Sequence, residues 1–400
     1  MTGVLTKILR IVGKSLGVVV LIAMVAVVAT SISPIYRFAE PQPFAGEAIF
    51  NPYRNYNATW GWQRAAFHVH TRVEGLFNEC EYWPEEVVEE YNRYGYDIVA
   101  FSNHNEITLR DDPSLQVSLY EHGYNLLKYH KLIFGSERVR RFDHLLPLLA
   151  SQKQWQIELL AEDSDLVQLN HPLRTHTLAG AQLTKLGGYE IMELDSGKST
   201  ENEYWDIALS AGHYSFGMAN DDLHYPNRST AIAMRCNMLN CASASYDDIL
   251  ATLRDGCFYA MRLPDYGAGD WSEKERRNSE IPYIESIGMR GDSIYISLSA
   301  VADSIKFTGA GHATLATAYD SRAAEYVMRK EDSYARITAY MPEGEVIYTN
   351  PFARYDKATA KSPFRDATHS INWPLTLLFN LGIALVVAAL IRLIFKILRR

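Results

Sequence analysis

The chain begins and ends in uncharged apolar stretches, and between them hydrophobic positions recur with two different periods. Residues 15–36 run 22 positions without a charge around the core GVVVLIAMVAVVA, and residues 371–391 run 21 around PLTLLFNLGIALVVAAL. Each is near the ~20 residues that cross a bilayer core, and neither shows the polar face of a half-buried core helix. From 61 to about 263, short apolar runs alternate with helical patterns. AAFHVH (65–70), YDIVAFS (96–102), HKLIFGSE (130–137), DLVQLNH (165–171), YEIMELD (189–195) and YSFGMAND (214–221) read as strands. Helices are predicted over 84–94, opened by Pro84 and stopped by Gly95, through HLLPLLASQKQW, over 201–211, and over 246–254, stopped at Gly256. Strand–helix alternation of this length predicts an α/β fold: a parallel sheet with helices outside, closed or nearly closed into a barrel.

After Pro264 the pattern shortens to β-type runs such as YIESIGMR, SIYISLSA and YARITAYM, separated by turns at Arg290-Gly291-Asp292 and Glu343-Gly344. That spacing predicts a small antiparallel β-sandwich. The expected organisation is a basic tip and transmembrane helix (1–36), a linker (37–60), the α/β unit (61–263), the β unit (264–356), a second linker (357–370), and a transmembrane helix with a basic tail (371–400).

Charge sets the topology. The net charge is −8, yet seven basic residues sit at the ends: Lys7, Arg10, Lys14, Arg392, Lys396, Arg399 and Arg400. The interior therefore carries −15, which argues against nucleic-acid binding through bulk charge. Basic flanks on the outer side of both spans place both termini in the cytoplasm and the central domains outside it. The competing reading of the first span is a signal peptide cleaved near Ala29-Thr30-Ser31. Four cysteines are too few for a disulfide scaffold in a chain of this size.

Ten of the twelve histidines fall between 68 and 224, and several sit where a predicted strand runs out. His68 and His70 share one face of the first strand because strand period is two. His104, Glu137 and His171 end later strands, and Asp222 with His224 follow YSFGMAND. In a parallel barrel the carboxyl ends of the strands meet at one mouth. Imidazoles and carboxylates gathered there point to divalent cations such as zinc, manganese or iron. His122, His130, His176 and His213 read individually as structural.

These motifs resemble the PHP (polymerase and histidinol phosphatase) superfamily of metal-dependent phosphoesterases over roughly residues 65–260. The resemblance runs through FHVHTRVEG with His68, His70 and Glu74, through SNHN with His104, and through GSE with Glu137 followed by His144. It continues in NHP with His171 and in NDDLH with Asp222 and His224. The stretch ILATLRDGCFYA before a β region is also similar to CehA/McbA-type metallohydrolases. The resemblance implies a distorted (β/α)7 barrel holding two or three divalent metals (Mn, Zn or Fe). Glu137 would bridge them. His68, His70 and Asp222 would hold one metal, Glu74, His104 and His224 a second, and His144 and His171 a third together with Glu137. Asn103 stands where the family has aspartate, and the acidic turn is one residue short.

The expected activity is hydrolysis by an activated water, most simply of phosphoric esters, with no serine or cysteine nucleophile. Arg174 would clamp an anionic group and His176 would protonate the leaving oxygen. Carbamate, ester or amide hydrolysis on the same fold is the alternative, and a non-catalytic metal- or ligand-binding sensor is another. The expected partners are the membrane and a small-molecule or lipid- or envelope-linked ester.

Overall fold

The computed structural model describes residues 2–74, 78–175, 177–196, 199–200, 202–365 and 368–399. Its first element is the apolar helix α1 (Thr2–Ala29), followed by two short strands, β1 (Tyr36–Phe38) and β2 (Ala48–Phe50), and by β3 (Gln63–Ala66). Helix α2 (Pro84–Arg93) has Pro84 in its first turn, and the Glu86 side chain accepts from the Trp83 N–H at 2.7 Å, so the free helix end is capped. It buries Val87, Val88 and Tyr91 on one stripe. Strands β4 (Ile98–Val99), β5 (Leu119–His122) and β6 (Lys131–Phe134) come next, then α3 (Ala150–Ala161), β7 (Leu166–Leu169), the single turn α4 (Gly180–Leu183), β8 (Ile191–Ser196), β9 (Ser199–Thr200), α5 (Asn202–Ser210) and β10 (Phe216–Asn220). Strand β11 (Arg235–Leu239) leads to α6 (Tyr246–Asp255), capped by the Ser245 hydroxyl and ended by Gly256 at φ 82°. A side chain at Gly256 would also strike the Phe216 ring, so both conformation and space require glycine there.

Strand β12 (Phe258–Arg262) and helix α7 (Trp271–Asn278) precede the β-rich region. That region holds β13 (Ile284–Arg290), β14 (Ser293–Gly309), β15 (Ala313–Val327), β16 (Tyr334–Tyr340), β17 (Val346–Thr349) and β18 (Phe352–Tyr355). Strand β19 (His369–Ile371) and the apolar helix α8 (Trp373–Leu398) close the chain.

Two sheets organise the body. One has the order β10-β8-β7-β6-β5, with β9 on β8. Strands β7, β8 and β10 are parallel, whereas β6 pairs antiparallel with both neighbours. The runs LVQL, IMELDS and FGMAN are buried at every position, as in strands covered on both faces. The other sheet has the order β13-β14-β16-β17-β12-β11-β3-β4, with β15 on β14 and with β18 and β2 at its side. The β-rich region therefore does not stand apart as a sandwich: β17 pairs with β12, so one sheet crosses residues 263–264. Runs expected as separate strands merge into β14 and β15, whose register shifts between Ser297 and Ala302 and whose chain turns through Asp320 at φ 47°.

The mixed α/β character is as expected, but ladder pairing among the described residues does not close a barrel. Two single bridges link the sheets, Val69–Leu223 and His104–Glu121, and both fall where histidines gather. The helix expected through HLLPLLASQKQW starts only at Ala150, because Pro147 cannot supply an N–H inside a helix.

Helices α1 and α8 are each long and apolar enough to cross a bilayer, with 26-residue stretches almost wholly unburied. They lie side by side and leave through a shared exit. There β1 pairs antiparallel with β19, and the Asn380 and Thr376 side chains bond the backbone of Ser33 and Ile35.

Candidate metal centre

The site forms where strands of both sheets end together. His68 and His70 follow β3, and their backbone is pinned by Leu223 accepting from the His70 N–H at 3.0 Å. His104 follows β4, Glu121 lies within β5, and His130 immediately precedes β6. His171 follows β7, Glu193 lies on β8, and Asp222 and His224 follow β10. Asp222 and His171 adopt positive φ, 51° and 25°. Such backbone costs a non-glycine residue about 1–3 kcal/mol and persists where surroundings over-determine it, as they do at functional sites.

Two buried carboxylates form the centre. His68 Nε2 lies 3.3 Å from Glu121 Oε2 and 3.1 Å from Asp222 Oδ1, and His70 Nε2 lies 3.3 Å from each. His104, His130 and His171 approach Glu121 at 3.2, 3.2 and 3.4 Å. His224 approaches Asp222 at 3.3 Å while its ring stacks on that of His70. Ligand atoms of His68, His70, Glu121 and Asp222 all fall within 4.8 Å of one another. Two further groups meet the same limit: His70 with Glu79 and His104, and His104 with Glu121 and His130.

Glu193 sits behind this centre. One of its oxygens takes His68 Nδ1 at 2.9 Å and the other accepts the His171 N–H at 2.9 Å. With Nδ1 occupied, His68 turns Nε2 toward Glu121 and Asp222, the carboxylate–imidazole arrangement that orients metal-binding histidines.

The electrostatics are those of a cation site. Burial opposes charge on His68 and His70, yet Asp222 and Glu121 outweigh it, lifting His68 well above its ordinary value and His70 to about 9. Burial alone would raise the carboxyl pKa values, but the imidazoles hold Glu121 and Asp222 well below the usual carboxylate range. Burial lowers His104, His130 and His171, with Glu121 opposing, and so favours their neutral, ligand-competent form. Although they are enclosed, His68 Nε2, both ring nitrogens of His70, His104 Nδ1 and His171 Nδ1 have no hydrogen-bond partner among the described residues. Buried polar atoms are normally paired. Of the orphaned nitrogens, His68 Nε2 and His70 Nε2 converge on two ionised carboxylates, and that mixed N/O set fits a divalent cation.

The predicted residues divide accordingly. His68, His70, His104, His171, Asp222 and His224 come together. Glu137 does not: β6 runs against its neighbours, so its end, with Glu137 exposed beyond it, lies at the opposite edge from the cluster. The start of β6 reaches the rim instead and brings His130. Glu121, from the neighbouring β5, occupies the central position expected of Glu137. His144 is likewise elsewhere, with Nδ1 on the Thr30 carbonyl and its ring against Phe142 and Trp155. Glu74 is exposed and outside the three groups, whereas Glu79 lies 3.4 Å from His70 and 3.3 Å from His104. Arg174 contacts Asp222 directly. His176 lies outside the described residues.

Asn103 has a structural task. Its carbonyl accepts the Thr71 N–H at 2.8 Å and its amide donates to Thr71 and Thr108 hydroxyls at 2.7 and 2.9 Å, locking the turn after His70. An aspartate could not make the two donations. Beside the centre opens a cavity of about 620 Å³, lined in part by Arg72, Glu79, His224 and Tyr225, within the size range of small-molecule sites. All four cysteines are free and buried, and none is a member of the cluster.

No protein-family model matches the chain, and no curated protein matches it. A solved two-domain protein from Bacteroides vulgatus, containing a predicted PHP-like metal-dependent phosphoesterase, is similar at 15% identity and a TM-score of 0.38, over 79% of this chain and 99% of that one. At that TM-score no residue and no reaction transfers from it to this chain.

Proposed function

We propose that this chain is a membrane-anchored, metal-dependent hydrolase of the PHP type, acting on phosphoric esters. The observation that carries the reading is the buried group of His68, His70, Glu121 and Asp222, in which the orphaned Nε2 atoms of both histidines face the two carboxylates. His68, His70, Glu121 and Asp222 would hold one divalent cation. His104 with Glu121 and His130, and His70 with Glu79 and His104, offer further positions, and Glu121, common to two of the three groups, would serve more than one of them. A bound cation would supply a nucleophile at neutral pH by acidifying water and would offset charge developing on the ester.

The chain's own residues do the rest. Glu193 fixes the tautomer and angle of His68. Arg174 steadies Asp222 and, being partly exposed, presents its remaining N–H groups to an anionic oxygen of the substrate. The cavity beside His224 and Tyr225 admits the leaving group, and His176 is the proposed proton donor to it. Helices α1 and α8 are read as the membrane anchors, with both termini cytoplasmic.

Elemental analysis of the purified full-length protein tests the metal, paired with a screen of aryl phosphomonoesters, phosphodiesters, carboxyl esters and carbamates in manganese and in zinc. Transition metal bound together with phosphoester turnover is expected. Turnover of carbamates or carboxyl esters alone would overturn the phosphoesterase reading, and failure to bind any transition metal would overturn the hydrolase reading.

A further inference from the structure

The segment that was expected to supply a metal ligand through His144 connects the cluster to the membrane helices instead. His144 Nδ1 meets the Thr30 carbonyl, just beyond the end of α1, and the Leu145 N–H donates to the Thr30 hydroxyl at 3.3 Å. Asp143, next in sequence, accepts from the Tyr124 N–H at 2.9 Å. The Tyr124 hydroxyl donates to the His104 carbonyl at 2.9 Å, and its ring lies 5.4 Å from that of His104. Two hydrogen bonds through two side chains, Tyr124 and Asp143, plus one peptide step, thus separate a cluster histidine from the residue bonded to the end of α1. Gln152 adds a third tie, donating to the Ser31 carbonyl at 3.0 Å.

Around this junction the body is apolar on the outside. Tyr124, Leu126, Phe142, Leu148, Leu149 and Leu173 are all exposed, Leu126 by 66% and Leu148 by 53%. Lys128 and Arg141 lie in the same segments and are exposed as well. Isolated exposed leucines need no explanation, but these six lie in segments bonded to one another and to the exit of α1: the Leu126 N–H donates to the Leu145 carbonyl and the Thr175 hydroxyl to the Lys128 carbonyl. Aromatic and aliphatic side chains mixed with basic ones suit the headgroup boundary of a bilayer, where apolar groups insert and cations meet anionic lipid.

We infer that the segments 124–149 and 171–174 form a lip that beds in the outer membrane-water interface beside α1 and α8, holding the metal centre at headgroup level against an ester carried by a membrane lipid. Leu173 and Arg174 join the two functions, since Leu173 belongs to the lip while Arg174 reaches Asp222 in the centre. The substrate part rests on the hydrolase reading above; the docking part rests on α1 and α8 being the anchors.

The test uses the full-length, metal-loaded protein in vesicles of phosphatidylethanolamine and phosphatidylglycerol. The native cysteines are buried, so Leu126→Cys, Leu148→Cys and, as a control at the far edge of the large sheet, Tyr283→Cys each take one environment-sensitive label. Doxyl-labelled lipid is expected to quench the labels at 126 and 148 by about twofold or more while sparing the one at 283. Equal quenching at all three positions, or at none, overturns the docking surface. In the second arm, L126E/L148E is expected to lower turnover of phosphatidic acid in the vesicles by about tenfold while leaving turnover of a water-soluble aryl phosphate within about twofold. Equal loss on both substrates, or on neither, overturns the lipid-borne substrate. If neither ester is hydrolysed even by the unmodified protein, the phosphoesterase reading and the substrate part fall together, and the quenching arm still decides the surface.

Discussion

Asp206 on α5 and Glu121 on β5 are equally buried carboxylates, each 1% exposed, and their surroundings could hardly differ more. Asp206 is fully served: Arg336 donates through Nε and Nη2 at 2.8 and 2.6 Å, Tyr334 donates at 2.9 Å, and His312 completes the set. Arg336 is itself satisfied, with Nη1 on the Thr338 hydroxyl. Glu121 receives one fixed bond, from the Asn170 amide at 2.8 Å, and is otherwise ringed by five imidazoles, of which the facing nitrogens of His68 and His70 find no hydrogen-bond partner among the described residues. The first arrangement is closed, a charge matched by one guanidinium in bidentate contact, and it ties α5 to β16. The second has more donor atoms than mutual bonds can use. Burial and charge alone do not separate a structural ion pair from a metal centre. The balance of satisfied and unsatisfied atoms does.

That contrast is sharpest where activity is read. Glu121→Ala is expected to lower metal-dependent ester turnover by about 10³-fold or more, with loss of bound metal by elemental analysis and an unchanged far-ultraviolet circular dichroism spectrum. The H68A/H70A pair should behave alike, and turnover retained by that pair after metal stripping would contradict the assignment. Arg336→Ala should do the opposite. Removing one partner of a buried pair costs about 3–5 kcal/mol, visible as a lowered denaturation midpoint, while the fraction that stays folded keeps its metal.

A smaller effect follows from pH. His70 holds a proton up to about 9 in the metal-free centre, and a cation must displace it. Affinity should therefore rise with pH through the range up to about 9 in which His70 gives up its proton, by about tenfold per unit for each displaced proton, with His68 adding to the slope while it too is protonated. Calorimetric titration in buffers of different ionisation enthalpy would count the released protons; uptake independent of pH would show that these imidazoles are not ligands. The smallest change belongs to Glu137→Ala. An exposed carboxylate at the opposite edge of the sheet should alter stability by no more than ~0.5 kcal/mol and leave metal content unaltered.

The sequence was most readable where the strands run parallel. His68, His104, His171 and Asp222 follow strands that deliver their carboxyl ends to one rim, so a residue at a strand end can be placed without knowing the fold. The same reasoning misplaces Glu137 because β6 is reversed, and strand direction leaves no mark on hydrophobic period. Glu121 lies in a four-residue strand too short to stand out by pattern. Its visible trace is a carboxylate within the run VSLYEH, every residue of which from Leu119 onward is buried. His130 was disguised for the same reason, since it opens a strand rather than ending one. Helices α2 and α6 were legible to within a residue or two because proline and glycine mark their ends locally. The joining of the β-rich region to the rest was not, because the β12–β17 ladder links residues some ninety positions apart and no local signal announces such a pairing.

The three-pair ladder between β1 and β19, Tyr36 with Ile371, Arg37 with Ser370 and Phe38 with His369, leaves almost no slack between the two spans and the body. Tyr36 also donates to Glu158 on α3, and His369 meets the same carboxylate, so both cords are knotted to one helix. With α1 and α8 as the proposed anchors, a body on so short a leash could not rear up or roll freely; it would glide with one side down. It would patrol a thin layer of the cell envelope and ignore otherwise suitable molecules a few protein diameters away, and trimming away the cords would change its hunting ground as much as its solubility.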